Sequence, residues 1–373
     1  MSIKNFYYSF PTIYFFGENA IDNLKNQIAN YKNVLVIAGA FSARKLGILD
    51  KIENICTTLN VEYSEYTNCP ANPSFEVVDE IIKYLKEKKI DLVIAVGGGS
   101  VVDASKAAIF KLKTIQNVHL GTILTMPASG SESNRSFVIY DPITNNKLAK
   151  ADNYIVPKFA ICDPDYLKTL THKQISCCLS DIMSHLFEQF FCLENWNFID
   201  DLILATIKTV IRVQRRLNIN IEDIEAKQEL MLISSFGLSY LLSCGRTLDW
   251  VAHCIEHAIS GKYKTNHGEG MSMIMPKWIR YSANNEFYSY RLKRFAEEFN
   301  LNSSDDLIEN AIKFIESFYK DLSLSKIISD LVNEPNLDEL TQIITQGKHI
   351  GRVNSISPNE CTGFLQTLWK GKQ

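Results

Sequence analysis

Short apolar runs alternate with amphipathic stretches along the first half of the chain. Asn33 to Ala38 (NVLVIA), Asp91 to Val96 (DLVIAV) and His119 to Met126 (HLGTILTM) are predicted to be buried strands. Glycine follows the first two runs, and apolar residues then recur at helical spacing in ARKLGILDKIENI and SVVDASKAAIFKL. Continuous apolar strands that alternate with helices indicate a parallel sheet covered on both faces.

The pattern changes after Cys162-Asp163-Pro164, where the strand signals fade. From about Thr171 onward, long segments such as DLILATIKTVIRVQRRL and QELMLISSFGLSYLLS carry apolar residues at helical spacing. A chain of 373 residues is also long enough for two domains. We therefore predict an α/β nucleotide-binding domain over residues 1–170 and an all-α domain over residues 171–373, with the active site in the cleft between them.

Composition narrows the class of protein. A hydrophobic fraction of 46% with 22% charged residues is ordinary for a soluble globular protein. The net charge of −3 gives no basic excess for binding nucleic acid or an anionic membrane. No apolar run approaches the roughly 20 residues that span a bilayer, and the N-terminus lacks the features of a signal peptide. The nine cysteines form no CxxC pair, so we expect a reducing, cytoplasmic location.

Side chains of the kind that bind metals fall in two segments of the helical half. Asp181 and His185 are four residues apart in SDIMSHLFEQFF, and this spacing places both on one face of a helix. That pair alone could equally be a surface pair or a core histidine. His253, His257 and His267 lie together in HCIEHAISGKYKTNHG, where Gly261 and a polar stretch allow the chain to turn and return. Asp181, His185, His253 and His267 offer three imidazoles and one carboxylate, a set that suits a divalent transition metal such as Fe²⁺ or Zn²⁺.

The glycines in VGGGSVVD indicate a second binding site. Gly97 to Ser100 follow a predicted strand and open a predicted helix, where the free N–H groups and the positive end of the helix dipole favour a phosphate. The segment matches neither G-x-G-x-x-G nor the Walker loop, and a tight turn would use the same residues. A metal site and a nucleotide site in one chain suggest redox chemistry on a small oxygen-containing substrate.

The histidine segment also supports a rival interpretation. His253, Glu256 and His257 fit H-x-x-E-H, the inverted zinc-peptidase motif, in which Glu256 would be the general base. That interpretation needs a third ligand downstream and an open position for water, and it leaves the glycine loop without a role.

Taken together, four motifs resemble those of the iron-dependent (group III) alcohol dehydrogenase family, and within it the NADPH-dependent butanol dehydrogenase branch. They are GGGSVVDASK, MPASGSESN, SDIMSHLFEQFF and DWVAHCIEHAISGKYKTNHGEG. The similarity runs from YYSFPTIYFFG to about residue 281. It implies a Rossmann-like N-terminal domain with a parallel sheet and an all-α C-terminal domain, the dehydroquinate synthase-like architecture. It also implies a homodimer.

The resemblance assigns roles residue by residue. It implies that the metal ligands are Asp181, His185, His253 and His267. His257 matches a histidine beside the metal and is the candidate catalytic residue, either as a proton relay or as a residue that orients a ligand. The implied cofactor-binding residues are Gly98, Gly99, Ser100, Asp103, Thr125, Ser129 and Lys147.

The choice of cofactor depends on the segment AGAFSARK. NAD-preferring members of the family carry an acidic residue where this chain has Gly39, and losing that carboxylate removes the repulsion of a 2′-phosphate. Ser42 with Arg44 or Lys45 could bind the phosphate. We therefore expect NADP(H) rather than NAD(H), although the branch often has a glycine run at this position.

The residues and the resemblance together predict a metal-dependent oxidoreductase that interconverts a primary alcohol and its aldehyde by hydride transfer. The alternatives are a glycerol dehydrogenase-like polyol oxidoreductase, a dehydroquinate synthase, an H-x-x-E-H zinc metallohydrolase, and a non-catalytic binding protein. Cys177-Cys178 and Ser239 depart from the residues common in the family and could reshape the substrate pocket. Phe187, Trp250 and Phe364 could line that pocket or pack in the core.

Overall fold

A six-stranded parallel sheet organises the first half of the chain in the computed structural model, which describes residues 4–301 and 306–370. The sheet order is β1-β8-β5-β4-β2-β3, and β6 and β7 form a separate antiparallel hairpin. The strands are β1 (Ile13–Phe16), β2 (Asn33–Ala38), β3 (Glu62–Tyr66), β4 (Leu92–Gly97), β5 (His119–Leu124), β6 (Ser136–Asp141), β7 (Asn146–Ala151) and β8 (Phe159–Cys162).

Helices flank the sheet and then make up the second half of the chain. Short 3₁₀ helices lie at Ala20–Asn23, Asn153–Ile155, Pro164–Thr169 and Ile328–Asp330. The α-helices are α1 (Leu24–Ile28), α2 (Ser42–Lys45), α3 (Ile48–Leu59), α4 (Phe75–Glu87), α5 (Gly99–Leu112), α6 (His172–Phe190), α7 (Asn197–Ile219), α8 (Ile224–Gly237), α9 (Tyr240–Ser243), α10 (Val251–Tyr263), α11 (His267–Ser282), α12 (Glu286–Glu298), α13 (Leu307–Asp321), α14 (Leu337–Thr345) and α15 (Pro358–Lys370).

The central strands are buried on both faces, as their continuous apolar runs predict. Leu35 and Ile37 of β2 pack on one side with α4 and α5, whereas Val34 and Val36 pack on the other with α1 and α3. A third cluster fills the helical half. The predicted fold class is confirmed, with β4 one residue later than expected and β5 ending at Leu124. The boundary between residues 170 and 171 stays a prediction.

Two predicted helices are interrupted. The segment ARKLGILDKIENI forms α2 and α3 because Gly47 adopts a left-handed conformation (φ 67°) that turns the chain between them. The segment QELMLISSFGLSYLLS is likewise divided between α8 and α9.

The sequence pattern does not predict the β6–β7 hairpin. Its second strand, NKLAKA, is polar and largely exposed, so it lacks the apolar run that marks the strands of the sheet. The hairpin leaves the sheet and reaches α10, where a Cβ at Gly261 would lie 3.0 Å from the carbonyl oxygen of Asn145. This contact brings Lys147 of β7 to the helical half.

Within the described residues, no helix is long and apolar enough to cross a membrane.

Candidate functional site

Three helices bring the metal-type side chains together. Thr171 begins α6 with a capping box, and Asp181 and His185 then lie one turn apart on that buried helix. Helix α10 carries His253 and ends at Tyr263. The side chain of Asn266 caps α11, so that His267 is its first residue. The chain therefore turns and returns between His253 and His267, as the sequence predicts.

Glycine at position 268 allows α11 to begin directly against α6. A Cβ there would lie 2.3 Å from the carbonyl oxygen of Cys177. Only glycine therefore permits this helix separation, which brings His267 close to Asp181.

The three imidazoles surround one carboxylate oxygen. Asp181 Oδ1 lies 3.2 Å from His267 Nε2, 3.5 Å from His185 Nε2 and 3.9 Å from His253 Nε2. The rings of His185 and His253 are stacked, with centroids 4.8 Å apart. Ligand atoms of Asp181, His253 and His267 all lie within 4.8 Å of one another, and His185 Nε2 approaches the same carboxylate oxygen. We call these four residues the N₃O donor set.

The hydrogen bonding of this cluster fits a divalent cation. Among the described residues, Asp181 Oδ1 and both ring nitrogens of His253 are buried without a hydrogen-bond partner, an arrangement that a protein compensates with a metal or water. Burial opposes ionisation of Asp181, but the neighbouring imidazoles outweigh it and hold the pKa of its carboxyl well below the usual range. Burial lowers the pKa of His185 to about 3, so its imidazole is neutral, as ligation requires.

His257 stands beside this cluster. Its ring centroid is 5.4 Å from that of His267 and 6.1 Å from that of His253. Burial is the main cause that lowers the pKa of His257 well below its ordinary value. The residue lines the same cavity, and its role as a relay stays a prediction.

Two glutamates that the sequence analysis did not assign as supports lie behind the histidines. Glu256 is fully buried and its Oε2 contacts His267 Nδ1. Glu188 Oε2 lies 3.6 Å from His253 Nδ1. The E of H-x-x-E-H was the available signal for Glu256, but there it predicted a general base.

A cleft of about 1110 Å³ connects the donor set to the glycine loop. Gly99, Ser100, Asp103, Ser129 and Lys147 line its sheet side. The donor-set residues and His257 line the helical side. The structure therefore brings most of the predicted site residues into one cavity.

Four predicted cofactor residues do not line this cavity: Gly39, Ser42, Gly98 and Thr125. They lie at the carboxyl ends of the neighbouring strands, where Ser42 Oγ is 3.5 Å from Thr125 Oγ1. The glycines of the loop also have a packing role, because a Cβ at Gly99 would lie 2.6 Å from Ser129 Oγ. Close packing against the segment that contains Met126 and Ser129 is therefore one reason for glycine at positions 98 and 99.

Asp103 and Lys106 connect the glycine-loop helix to the segment MPASGSESN. Asp103 accepts hydrogen bonds from Ser131 Oγ (2.6 Å) and from the backbone N–H of Val138 (2.9 Å). Lys106 is fully buried, and its Nζ donates to Ser131 Oγ and to both oxygens of Asn134 at 2.9–3.0 Å. Burial lowers the pKa of Lys106 to about 8. The sequence analysis missed Lys106, although Asp-x-x-Lys at helical spacing was its signal.

The three aromatic candidates divide between pocket and core. Trp250 lines the cavity from a left-handed backbone (φ 56°), with its ring 5.2 Å from that of His253. Phe187 and Phe364 are buried in the helical core. Cys177, Cys178 and Ser239 also line the cavity.

Comparison with known proteins decides the family. Residues 11–164 match the family described as iron-containing alcohol dehydrogenase, and residues 178–360 match the Fe-containing alcohol dehydrogenase family, C-terminal. NADH-dependent butanol dehydrogenase A of Clostridium acetobutylicum is 30% identical over 98% of this chain and 99% of that protein. The chain belongs to the iron-containing alcohol dehydrogenase family.

Other relatives of this alcohol dehydrogenase differ in cofactor. NADPH-dependent aldehyde reductase YqhD of Escherichia coli is 27% identical over 88% of this chain and 89% of that protein. The crystal structure of an NADH-dependent butanol dehydrogenase A from Thermotoga maritima superposes with a TM-score of 0.91, at 25% identity and 99% coverage of both chains. Both NADH and NADPH therefore occur among the relatives.

Membership establishes an oxidoreductase of the alcohol dehydrogenase class, and it implies a divalent metal and a nicotinamide cofactor. The metallohydrolase alternative is not supported. Its proposed base, Glu256, contacts the Nδ1 side of His267, whereas the Nε2 side of that ring faces Asp181.

Proposed function

We propose that this alcohol dehydrogenase catalyses reversible hydride transfer between NADP(H) and a primary alcohol or its aldehyde, at a metal held by Asp181, His185, His253 and His267. The observation that carries the proposal is the convergence of three imidazole nitrogens on Asp181 Oδ1 inside a cleft that the glycine loop also lines. The N₃O set and the family favour Fe²⁺, and Zn²⁺ would suit the same donors.

A bound divalent cation would supply Lewis acidity toward the oxygen of the substrate. The protein's own part is to hold the two reactants in line. Helix α5 begins at Gly99 and places its N-terminal amides and Ser100 toward the cleft, which suits the cofactor's pyrophosphate. We assign Lys147 to the nicotinamide ribose of the cofactor. It lies in the same cleft, and its interaction with the carboxylates of Glu256 and Asp181 places it on the side of the cleft that faces the donor set.

His257 is our candidate for moving a proton between the reacting oxygen and solvent. It lines the cleft one helical turn from His253, and imidazole is a group that can both accept and donate a proton. Among the described residues, His185, His253 and His267 each have a ring nitrogen within 4.0 Å of Asp181 Oδ1 and His257 does not, which supports a role separate from ligation.

The end of β2 supports the preference for NADP(H). Arg44 is paired with Glu65 at 2.7 Å, which leaves Lys45 as the available cation beside Ser42. Lys45 has no carboxylate partner among the described residues, and its Nζ lies 5.8 Å from the centroid of the exposed ring of Phe41. Gly39 brings no carboxylate to this corner, and the charge of Glu65 is paired with Arg44, so the repulsion of a 2′-phosphate is reduced.

The walls of the cleft near the donor set favour a monohydric alcohol over a polyol. Leu238, Tyr240, Leu248 and Trp250 are among the residues that line the cleft, and the ring of Trp250 lies 5.2 Å from that of His253. An apolar wall offers few partners for additional hydroxyl groups, whose burial without hydrogen bonds is costly. The glycerol dehydrogenase-like alternative is therefore less well supported.

We also propose a cytoplasmic homodimer, as the family resemblance implies. The exposed edge strand β1, where Ile13 is 52% exposed, is a surface that a second copy could cover. Sedimentation equilibrium would test this assembly, and a monomer at micromolar concentration would contradict it.

The decisive experiment follows NADPH consumption with butyraldehyde, using protein loaded anaerobically with Fe²⁺ or with Zn²⁺ and a metal-free control. We expect metal-dependent turnover that is faster with NADPH than with NADH. His267→Ala should lose metal and activity together, whereas His257→Ala should keep metal and lose rate. Full activity of the metal-free protein would overturn the proposal, and comparable turnover with NADH would overturn its cofactor preference.

A further inference from the structure

We propose that Glu256 and Glu188 are positioning residues of the metal site. Glu256 fixes His267 from its Nδ1 side, whereas Glu188 restrains His253 through its backbone N–H, so that Glu256 makes the larger contribution. The inference rests on the proposed ligand set and adds two residues that do not belong to it. It also gives the Glu of the H-x-x-E-H segment a role other than that of a general base.

The contact between Glu256 and His267 determines which nitrogen of the ring is available. Glu256 Oε2 contacts Nδ1, while Nε2 of the same ring lies 3.2 Å from Asp181 Oδ1. A carboxylate that accepts the Nδ1–H leaves the lone pair on Nε2 free for a cation and prevents the ring from turning. Because Glu256 lies on α10 and His267 begins α11, the contact also fixes one helix against the other.

The space for this carboxylate depends on Gly270. A Cβ at that position would lie 2.8 Å from Glu256 Cγ and from its Oε1. The first turn of α11 therefore has two glycines with different tasks: Gly268 admits α6, and Gly270 admits the Glu256 side chain. This steric requirement supports the specific placement of the carboxylate independently of its hydrogen bond.

Glu188 supports His253 more loosely. Its Oε1 accepts the backbone N–H of His253 at 3.3 Å, whereas its Oε2, 3.6 Å from His253 Nδ1, is beyond hydrogen-bonding distance and acts on the ring only through its charge. In the described part of the chain, His185 Nδ1 has no partner at all. The three imidazoles are thus held to different degrees: His267 by a direct contact, His253 by a longer one, and His185 by packing alone.

This order predicts a graded effect on metal affinity. Replacing a carboxylate that supports a ligating histidine typically lowers metal affinity about 10- to 100-fold. We expect Glu256→Gln to fall in this range and Glu188→Gln to cause a smaller loss. Glutamine keeps the size of the side chain and removes the charge, so that the change isolates the support of the imidazole.

The test measures Zn²⁺ affinity by competition with a chromogenic chelator, and the rate of Zn²⁺ release into excess chelator. Glu194→Gln is the matched control, because Glu194 is also fully buried but bonds Thr247 and pairs with Lys4 instead of a histidine. Gly270→Ala is a second variant, which retains Glu256 but displaces its carboxylate, and it should weaken Zn²⁺ binding in parallel with Glu256→Gln.

The inference stands if Zn²⁺ affinity falls in the order Glu256→Gln, then Glu188→Gln, with Glu194→Gln at the wild-type value. Equal affinities of Glu256→Gln and Glu194→Gln would overturn it. If His267→Ala bound Zn²⁺ as tightly as the wild type, the proposed ligand set itself would be wrong. If instead His267→Ala lost Zn²⁺ and Glu256→Gln bound it with wild-type affinity, the ligand set would stand and only the role of Glu256 would be wrong.

Discussion

A methyl group at position 268 tests how closely α6 and α11 must pack for the donor set to form. In Gly268→Ala, the new Cβ would lie 2.3 Å from the carbonyl oxygen of Cys177 and 2.8 Å from its carbonyl carbon. Because these are backbone atoms of a buried helix, they cannot rotate away. The start of α11 must therefore retreat by about 1 Å, at a cost of about 1–3 kcal/mol in the free energy of unfolding.

The retreat acts directly on His267, the preceding residue, whose Nε2 lies 3.2 Å from Asp181 Oδ1. Metal–ligand distances tolerate only about 0.2 Å of change. We therefore expect at least a tenfold loss of metal affinity, and a displacement of about 1 Å can lower the turnover number about 100-fold.

Metal content per chain, urea unfolding of the metal-free protein and the turnover number at saturating metal would measure these effects. Gly363→Ala is the control, because Gly363 lies in α15 with no atom within 4 Å of a new Cβ. That change should be neutral or stabilise the fold by about 0.5–1 kcal/mol. Wild-type metal content and turnover in Gly268→Ala would refute the packing argument.

Three further substitutions test other parts of the molecule. Gly39→Asp should shift the ratio of kcat/KM for NADPH and NADH at least tenfold toward NADH by repelling a 2′-phosphate; an unchanged ratio would show that this loop does not contact the ribose. Asp200→Ala removes the shared carboxylate of the buried Arg246 and Arg291, and urea unfolding should show a loss of about 3–5 kcal/mol. Gly261→Ala should displace the hairpin turn, raising the KM for NADPH without loss of metal; loss of bound metal would contradict the division of the cleft into two halves.

The fold is predictable from sequence where burial is the same along an element. Strands β2 and β4 are covered on both faces, so all their residues after the half-buried Asn33 of β2 are apolar or glycine and the run stands out. The hairpin strand β7 has no such signal because most of it is exposed. The break between α2 and α3 depends on the left-handed conformation of Gly47 alone. The helical spacing of apolar residues continues across this position, so the spacing does not predict the break.

The donor set is only partly predictable, because local spacing and tertiary packing give different partners. Spacing alone pairs His253 with His257, one turn apart on α10. In the structure, His253 and His267 both approach Asp181 Oδ1, whereas His257 lies with Glu256 and His267. The approach of α11 to α6 decides between these arrangements, and the resemblance to a family supplied that information where helical periodicity could not.

The second half of the cleft depends on connections between motifs that are separate in the sequence. Lys106 fixes the segment MPASGSESN to the glycine-loop helix, and the hairpin carries Lys147 across to α10. A third connection runs from Asn72 Nδ2 to the carbonyl oxygen of Thr265, at 3.4 Å. Hydride transfer requires the cofactor and the substrate to be held in a fixed relative position. If the sheet holds the cofactor and the helices hold the substrate, as we propose, these connections help to set the distance between the two reactants.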